Sequence, residues 1–128
     1  MKIRENDFSI GADVVFIPRI TGILCSKERD TFLRRCFSEK EIKCFLDKKT
    51  GGDKFLAGRF ALKEALVKIT GNRRGIRFSE ICCPSSKGKP VLKFLGKTMS
   101  VFSRYDISFS ISHDNEYAFA VVIGRRKR

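Results

Sequence analysis

Apolar residues recur at every second position near the start of the chain, at Phe8, Ile10, Ala12, Val14 and Phe16. This period of two predicts a β-strand over residues 8–16 with one half-buried face. Asp13 lies on the other face, beside Gly11. That face is either exposed to solvent or part of a functional site, because a carboxylate in an apolar strand needs a polar partner.

Helical spacing replaces the alternation from Pro18, which ends the strand. The predicted helices cover residues 18–24, 28–35, 39–48 and 53–69. Ser38 is a suitable N-cap for the third helix, with Glu41 three residues later. Gly71 is the expected C-terminal stop of the fourth and longest helix.

Short strands are predicted in the second half of the chain. They cover residues 78–83 and 91–95, with a turn at 87–90 between them and a helical turn at 97–103. A hairpin follows, in which serines alternate with Ile107, Phe109 and Ile111, and then residues 117–123 are almost continuously apolar. The last strand is therefore expected to be central and buried on both faces. The predicted class is α+β, an antiparallel sheet packed with one long and several short helices.

Composition is consistent with one domain, residues 1–124, followed by a basic tail over residues 125–128. Hydrophobic residues make up 42% of the 128 residues, enough for a core of its own. No apolar run reaches the ~18 residues that a membrane span needs. The charged N-terminus has no apolar segment behind it, so we expect neither a secretory signal nor a membrane partner.

The five cysteines are an odd number, with no Cys-x-x-Cys pair and no histidine at zinc-ligand spacing. We therefore expect reduced, structural cysteines in a cytoplasmic protein rather than a zinc site. The net charge of +13 predicts attraction to a polyanion such as nucleic acid, a nucleotide or an acidic protein. The basic tail contributes to this attraction, or it is only a solvated chain end.

Glu64 and Lys68 are four residues apart, so both lie on one face of the predicted long helix. Together with Asp13 they could hold a hard divalent cation and a phosphate. The alternative is an ordinary surface ion pair, which contributes roughly 0.2–0.5 kcal/mol. His113 ends the serine-lined strand and is either a turn residue or part of a site. The turn at Gly88, with a lysine on each side, is either exposed or receives a phosphate on its free backbone amides.

These segments together resemble the short bacterial holo-acyl-carrier-protein synthase group of 4′-phosphopantetheinyl transferases. The matching segments are Gly11-Ala12-Asp13, Pro18-Arg19-Ile20, residues 32–41, residues 55–65, Gly88-Lys89-Pro90 and Ser110-Ile111-Ser112-His113. They span most of the chain. Such enzymes move 4′-phosphopantetheine from coenzyme A to a serine of apo acyl carrier protein, in fatty acid biosynthesis, and release adenosine 3′,5′-bisphosphate.

The resemblance implies a role for each matching residue. Asp13 and Glu64 match the carboxylate ligands of Mg²⁺, and Lys68 matches the lysine that acts on the phosphates of coenzyme A. The family offers no single settled general base: a metal-bound water, or Asp13 or Glu64 acting through a water molecule, could take the serine proton, and we favour Glu64. The expected coenzyme A-binding residues are Arg59, Gly88, Lys89, Pro90 and His113. Arg19 matches the arginine that grasps the acidic carrier protein.

The family also forms homotrimers with active sites at the subunit interfaces, so the same assembly is expected here. One segment departs from the family pattern: the loop that usually reads Gly-Thr-Gly is Gly71-Asn72-Arg73-Arg74-Gly75 here. Charge alone would favour a basic, ribosome-associated nucleic-acid-binding protein. An inactive carrier-protein partner is a second alternative. The retained Asp13, Glu64 and Lys68 argue against the inactive partner. The Phe residues lie at periodic apolar positions and the basic residues are scattered, so the matching segments favour the enzyme and no nucleic acid is expected as a partner.

Overall fold

The computed structural model describes residues 7–128 and confirms the α+β class. The strands are β1 (Phe8–Phe16), β2 (Ile81–Cys82), β3 (Ser85–Ser86), β4 (Lys89–Pro90), β5 (Lys93–Phe94), β6 (Tyr105–Asp114) and β7 (Tyr117–Arg126). The helices are α1 (Ile17–Leu24), α2 (Arg29–Cys36), α3 (Glu39–Leu46), α4 (Gly52–Thr70) and α5 (Gly96–Phe102). The main sheet is antiparallel in the order β1-β7-β6, while β2 pairs with β5 and β3 with β4.

Helix α4 is the central element, in contact with the main sheet and with α1 and α3. Its sequence is rich in good helix formers, and it is bounded by Gly51 and Gly71, whose φ angles are 74° and 84°. Left-handed backbone of this kind favours glycine. Leu56, Leu62 and Leu66 on α4 are each 0% exposed, so the core surrounds most of the helix. None of the helices in the described part of the chain is long and apolar enough to cross a membrane.

The predicted orientation of β1 is wrong. A Cβ atom on Gly11 would lie 2.1 Å from the backbone oxygen of Ala65, so β1 passes α4 as closely as two backbones can. The face with Gly11, Asp13 and Val15 therefore turns toward the helix, and Val15 is 1% exposed. The supposed core face is turned outward, with Ile10 71% exposed.

Strand β7 is central, as predicted, but it is buried on one face only. Ala118, Ala120 and Val122 lie under α4 and are 0% exposed, whereas Phe119 and Ile123 on the other face are 39% and 43% exposed. No element among residues 7–128 covers that second face. The exposed apolar residues of β1 and β7 on it are Phe8, Ile10, Val14, Phe16, Tyr117, Phe119 and Ile123. We call this surface the open sheet face.

Two of the predicted short strands are mostly irregular. Residues 78–80 form one turn of 3₁₀ helix before β2, and only residues 93–94 of the second predicted strand pair. Each segment pairs with its partner over two residues only. Such a short pairing does not produce the alternation of buried and exposed side chains that marks a regular strand. The turn at Lys87 and Gly88 is confirmed, with φ angles of 52° and 78°, and it closes the β3–β4 hairpin.

Candidate active site

Asp13, Glu64 and Lys68 lie where β1 crosses α4. The Lys68 Nζ donates to the Ala12 carbonyl at 2.6 Å and lies 3.4 Å from Asp13 Oδ1. The alternative of a Glu64–Lys68 surface pair is not realised, since no hydrogen bond or ion pair engages Glu64 among residues 7–128. The Glu64 carboxylate is half-buried and free to bind a ligand. We call these three residues the acid half of the site.

His113 lies near the other end of α4, packed on Gly58. A Cβ on Gly58 would lie 2.9 Å from His113 Nε2, so only glycine leaves room for the ring. Nε2 is 3.1 Å from the Lys54 carbonyl, and it donates there, which leaves Nδ1 as the acceptor. Burial of this edge of the ring lowers the pKa of His113, and the Lys54 carbonyl partly opposes that shift. The imidazole is therefore mainly neutral near pH 7.

Arg59 is buried and holds the backbone that leads into the β3–β4 hairpin. Its Nε donates to the Cys83 carbonyl at 2.8 Å and its Nη2 donates to Ser85 Oγ at 3.0 Å. The guanidinium also stacks over Phe55, 4.3 Å from the ring centroid. Burial lowers the pKa of Arg59, which stays charged because an arginine starts above 12. Arg59 thus positions the exposed hairpin residues Gly88, Lys89 and Pro90.

We call Arg59, His113 and the hairpin the basic half. The basic half and the acid half lie on different sides of α4. At about 100° per residue, Glu64 lies roughly 140° around the helix from Arg59, and Lys68 roughly 180°. One chain therefore carries both halves without directing them at one ligand.

Sequence reasoning missed a buried ion pair next to Glu64. Lys63 Nζ lies 2.6 Å from Glu41 Oε1, and both side chains are 0% exposed. Lys63 also donates to the carbonyls of Cys36 and Phe78, and Glu41 accepts from the Cys83 N–H. Burial lowers the pKa of Lys63, and the Glu41 charge opposes this. The spacing in the sequence could have indicated this pair. Lys63 lies four residues after Arg59 and therefore on the same face of α4, which the core covers, so its charge needs a buried partner.

The Ser38–Glu41 capping box is confirmed, and the same carboxylate serves two purposes. Ser38 N–H donates to Glu41 Oε1 at 2.8 Å, and Glu41 N–H donates to Ser38 Oγ at 3.3 Å. Because Glu41 also binds Lys63 and Cys83, it ties α3 to α4 and to the segment that precedes the hairpin.

A cleft of about 530 Å³ opens between α1, α2 and the segment that follows α4. Phe32 and Phe78 border it, and both rings pack against Phe60, one turn before Glu64. Arg73, from the unusual loop after α4, stacks over Phe78 with its guanidinium carbon 4.5 Å from the ring centroid. Of the two arginines in this loop, Arg73 thus borders the cleft and Arg74 does not.

Arg19 is exposed on α1, and no partner engages its guanidinium among residues 7–128. Its helix begins directly where β1 ends, so Arg19 and Asp13 of the acid half are carried by one continuous stretch of chain. Ile23 of the same helix borders the cleft that Phe32 and Phe78 line.

The acid half suits Mg²⁺ in its chemistry. Asp13 and Glu64 offer hard carboxylate oxygens, and Mg²⁺ in phosphate-transfer sites takes one or two carboxylates with substrate oxygens and water. No group of three or more His, Cys, Asp or Glu side chains that could enclose a metal occurs within residues 7–128. A metal that also binds a phosphate substrate needs open coordination positions, and two protein carboxylates leave most of them open.

Comparison with known proteins shows which family this sequence matches. The family model described as the 4′-phosphopantetheinyl transferase superfamily matches residues 9–122. The holo-[acyl-carrier-protein] synthase of Wolbachia pipientis wMel is 40% identical over 120 residues, which cover 90% of this chain and 91% of that protein.

Solved structures agree with the fold. The holo-[acyl-carrier-protein] synthase of Helicobacter pylori, solved in complex with coenzyme A, matches with a TM-score of 0.75 and 34% identity, over 91% of this chain and 99% of that one. The corresponding protein of Neisseria meningitidis matches with a TM-score of 0.80 and 26% identity, over 91% and 97% of the two chains.

Proposed function

The chain belongs to the holo-[acyl-carrier-protein] synthases of the 4′-phosphopantetheinyl transferase superfamily, and from that premise we propose how its residues act. The enzyme transfers 4′-phosphopantetheine from coenzyme A to a serine of apo acyl carrier protein. A bond forms between the serine oxygen and the phosphorus next to pantetheine, while the pyrophosphate bond breaks and adenosine 3′,5′-bisphosphate leaves. This family membership displaces the nucleic-acid-binding alternative, and the carrier protein's acidity accounts for the basic charge.

The observation that carries the proposal is the contact of Lys68 with Asp13 where β1 crosses α4, with Glu64 one helical turn before Lys68. Asp13 and Glu64 would hold Mg²⁺, which supplies charge neutralisation for the phosphate under attack and for the leaving group when it is bound. Lys68 already has its Nζ near Asp13, so it is placed to stabilise the pyrophosphate or to protonate the leaving phosphate. Glu64 would take the serine proton through a water molecule.

The basic half binds the nucleotide end of coenzyme A. The Lys89 ammonium offers positive charge, the Gly88 N–H offers a donor and His113 Nδ1 offers an acceptor, while Arg59 fixes the hairpin that carries Gly88, Lys89 and Pro90. Because the two halves face different sides of α4, each coenzyme A would lie between the acid half of one subunit and the basic half of a neighbour.

The open sheet face supports a homotrimer that builds such shared sites. Ile10, Val14 and Ile123 are 71%, 56% and 43% exposed on one sheet, and an apolar surface of this kind marks an interface. In a ring closed by heterologous contacts, every subunit has one neighbour that can supply an acid half and one that can supply a basic half. The trimer therefore covers the open sheet face and completes three active sites.

The acidic carrier protein would dock at Arg19. The guanidinium on α1 is exposed, and the cleft lined by Phe32 and Phe78 begins one turn further along the same helix, at Ile23. A carboxylate of the carrier paired with Arg19 would orient its serine toward the acid half and would mainly raise the association rate. All five cysteines are free thiols, which supports a reducing, cytoplasmic location.

The test is mass spectrometry of apo acyl carrier protein after incubation with this protein, coenzyme A and Mg²⁺. We predict a gain of roughly 340 Da, the mass of phosphopantetheine, that is lost when EDTA removes the metal. Glu64→Gln should lower the rate by roughly two orders of magnitude or more, because it removes a ligand charge that acts on the transition state. The matched control is Glu39→Gln, an exposed glutamate on α3, which should transfer at the wild-type rate. A near-native rate for Glu64→Gln would contradict the assignment.

A further inference from the structure

Three arginines from separate segments meet beyond the C-terminal end of α4. Arg74, Arg104 and Arg126 line one cleft of about 390 Å³, which we call the arginine pocket. Every second residue of β7 faces α4 as far as Gly124, where a Cβ would touch Ile69 near the end of the helix. Arg126 is the next residue on that face of β7. Two residues later the helix has ended, so the Arg126 side chain lies past it rather than beneath it.

The positive charges in this pocket have no counter-charge in the part of the chain that the structure describes. Among residues 7–128, no hydrogen bond or ion pair engages the guanidinium of Arg74, Arg104 or Arg126. No aspartate or glutamate lines the cleft. The C-terminal end of α4 offers the equivalent of about −0.5 charge, against three full positive charges. The balance favours an anion.

The backbone that carries these arginines is held in place. Thr70 Oγ1 donates to the Asn72 carbonyl at 2.7 Å, and Arg74 N–H donates to Asn72 Oδ1 at 2.9 Å. The Arg104 carbonyl accepts from Lys127 N–H at 2.8 Å, next to the pairing of Tyr105 with Arg126. The backbone positions of the three arginines are thus set before any ligand arrives, so binding has to order only their side chains.

We propose that the arginine pocket is a second anion site, separate from the transfer site, and that it binds a small molecule carrying a diphosphate. Guanidinium groups bind phosphate oxygens through paired N–H donors, and three of them match the charge of a pyrophosphate group. Ser100 and Tyr105 also line the cleft and offer hydroxyl donors. The site is distinct from the two halves described above, since none of Asp13, Glu64, Arg59 or His113 borders it.

The test uses pyrophosphate as the probe, measured by isothermal titration calorimetry on the full chain in EDTA, with coenzyme A present in excess. The variant is Arg104→Gln/Arg126→Gln, and the matched control is Arg34→Gln/Lys43→Gln, which removes two exposed positive charges from α2 and α3. We expect binding at least about tenfold weaker in the variant and within about twofold of wild type in the control. Circular dichroism checks the fold, and Arg74→Gln alone serves if the double variant does not fold.

Three results would overturn the proposal. The first is the absence of pyrophosphate binding to the wild type at about 1 mM. The second is equal weakening in the variant and the control, which would show a general effect of net charge. The third is pyrophosphate binding that appears only when coenzyme A is left out, together with a raised KM for coenzyme A in the variant, which would make these arginines part of the transfer site. Unchanged kcat and KM alongside lost pyrophosphate binding is the expected outcome.

Discussion

At the scale of single residues, the Lys63–Glu41 pair buries the charge of Lys63 directly before the carboxylate of Glu64 in the sequence. Lys63 Nζ has three acceptors, namely Glu41 Oε1 and the carbonyls of Cys36 and Phe78. An ammonium group has three hydrogens, so the buried cation is fully satisfied. The residue that precedes Glu64 is thus fixed on three sides, which limits how far the Glu64 carboxylate can move.

Breaking this pair should destabilise the fold strongly. Glu41→Gln keeps the shape but leaves the Lys63 charge buried without a counter-charge, and it replaces the acceptor for Cys83 N–H. We expect a loss of about 3–5 kcal/mol in the free energy of unfolding, measured by urea denaturation at constant protein concentration. Asp106→Asn breaks the exposed pair with Lys127 and should cost less than about 1 kcal/mol. Equal losses would show that the buried pair contributes little.

The cysteines should differ in reactivity by burial. Desolvation raises the pKa of Cys83 from 9.0 to about 11, against the lowering effect of Arg59, and the side chain is 0% exposed. Cys25 is exposed. Iodoacetamide at mildly alkaline pH should therefore modify Cys25 first and Cys83 only after unfolding, as peptide mass mapping would show. Early modification of Cys83 in the native protein would contradict this burial.

The same shift has a consequence for stability above pH 9. Between 9.0 and about 11 the native Cys83 keeps a proton that the unfolded chain has lost. The native state then binds more protons, so its stability from this group falls as pH rises through that window.

At the scale of elements, the crossing of β1 over α4 decides the geometry of the acid half. Only glycine at position 11 allows the strand to reach the Ala65 carbonyl, and this contact turns Asp13 toward the helix. The sequence predicted the strand, the long helix and the capped third helix within a few residues, because period and caps are local signals. The buried face of β1 was predicted wrongly, because the more apolar face is normally the one a chain buries within itself.

Gly11→Ala should separate β1 from α4. The new Cβ would lie 2.1 Å from a backbone oxygen, so strand or helix must shift, and we expect a cost of about 1–3 kcal/mol or more in unfolding free energy. Transfer activity should fall as well, because the shift moves Asp13 away from Glu64.

The control for Gly11→Ala is Gly22→Ala on α1, where a Cβ meets nothing within 4 Å. Alanine in an open helix position should raise stability by roughly 0.5–1 kcal/mol. If Gly11→Ala behaves like Gly22→Ala in thermal unfolding and transfer assays, the close crossing is wrong.

At the scale of the whole molecule, the open sheet face and the separation of the two halves have one explanation. A single chain leaves Ile10 and Phe119 exposed, and it directs Glu64 and His113 to different sides of α4. The sequence could not show either feature from its periodicity. A strand buried by a neighbouring subunit has the same apolar pattern as a strand buried within its own chain, and the trimer was expected only from the family resemblance.

The most direct measurement is transfer activity after co-expression of Glu64→Gln with His113→Ala, each carrying a different tag. If each site takes its acid half from one subunit and its basic half from the next, random mixing in trimers restores about a quarter of the wild-type sites. The doubly tagged fraction should then be clearly active although each variant alone is nearly inactive. Activity no greater than that of the separate variants would contradict a site shared between subunits.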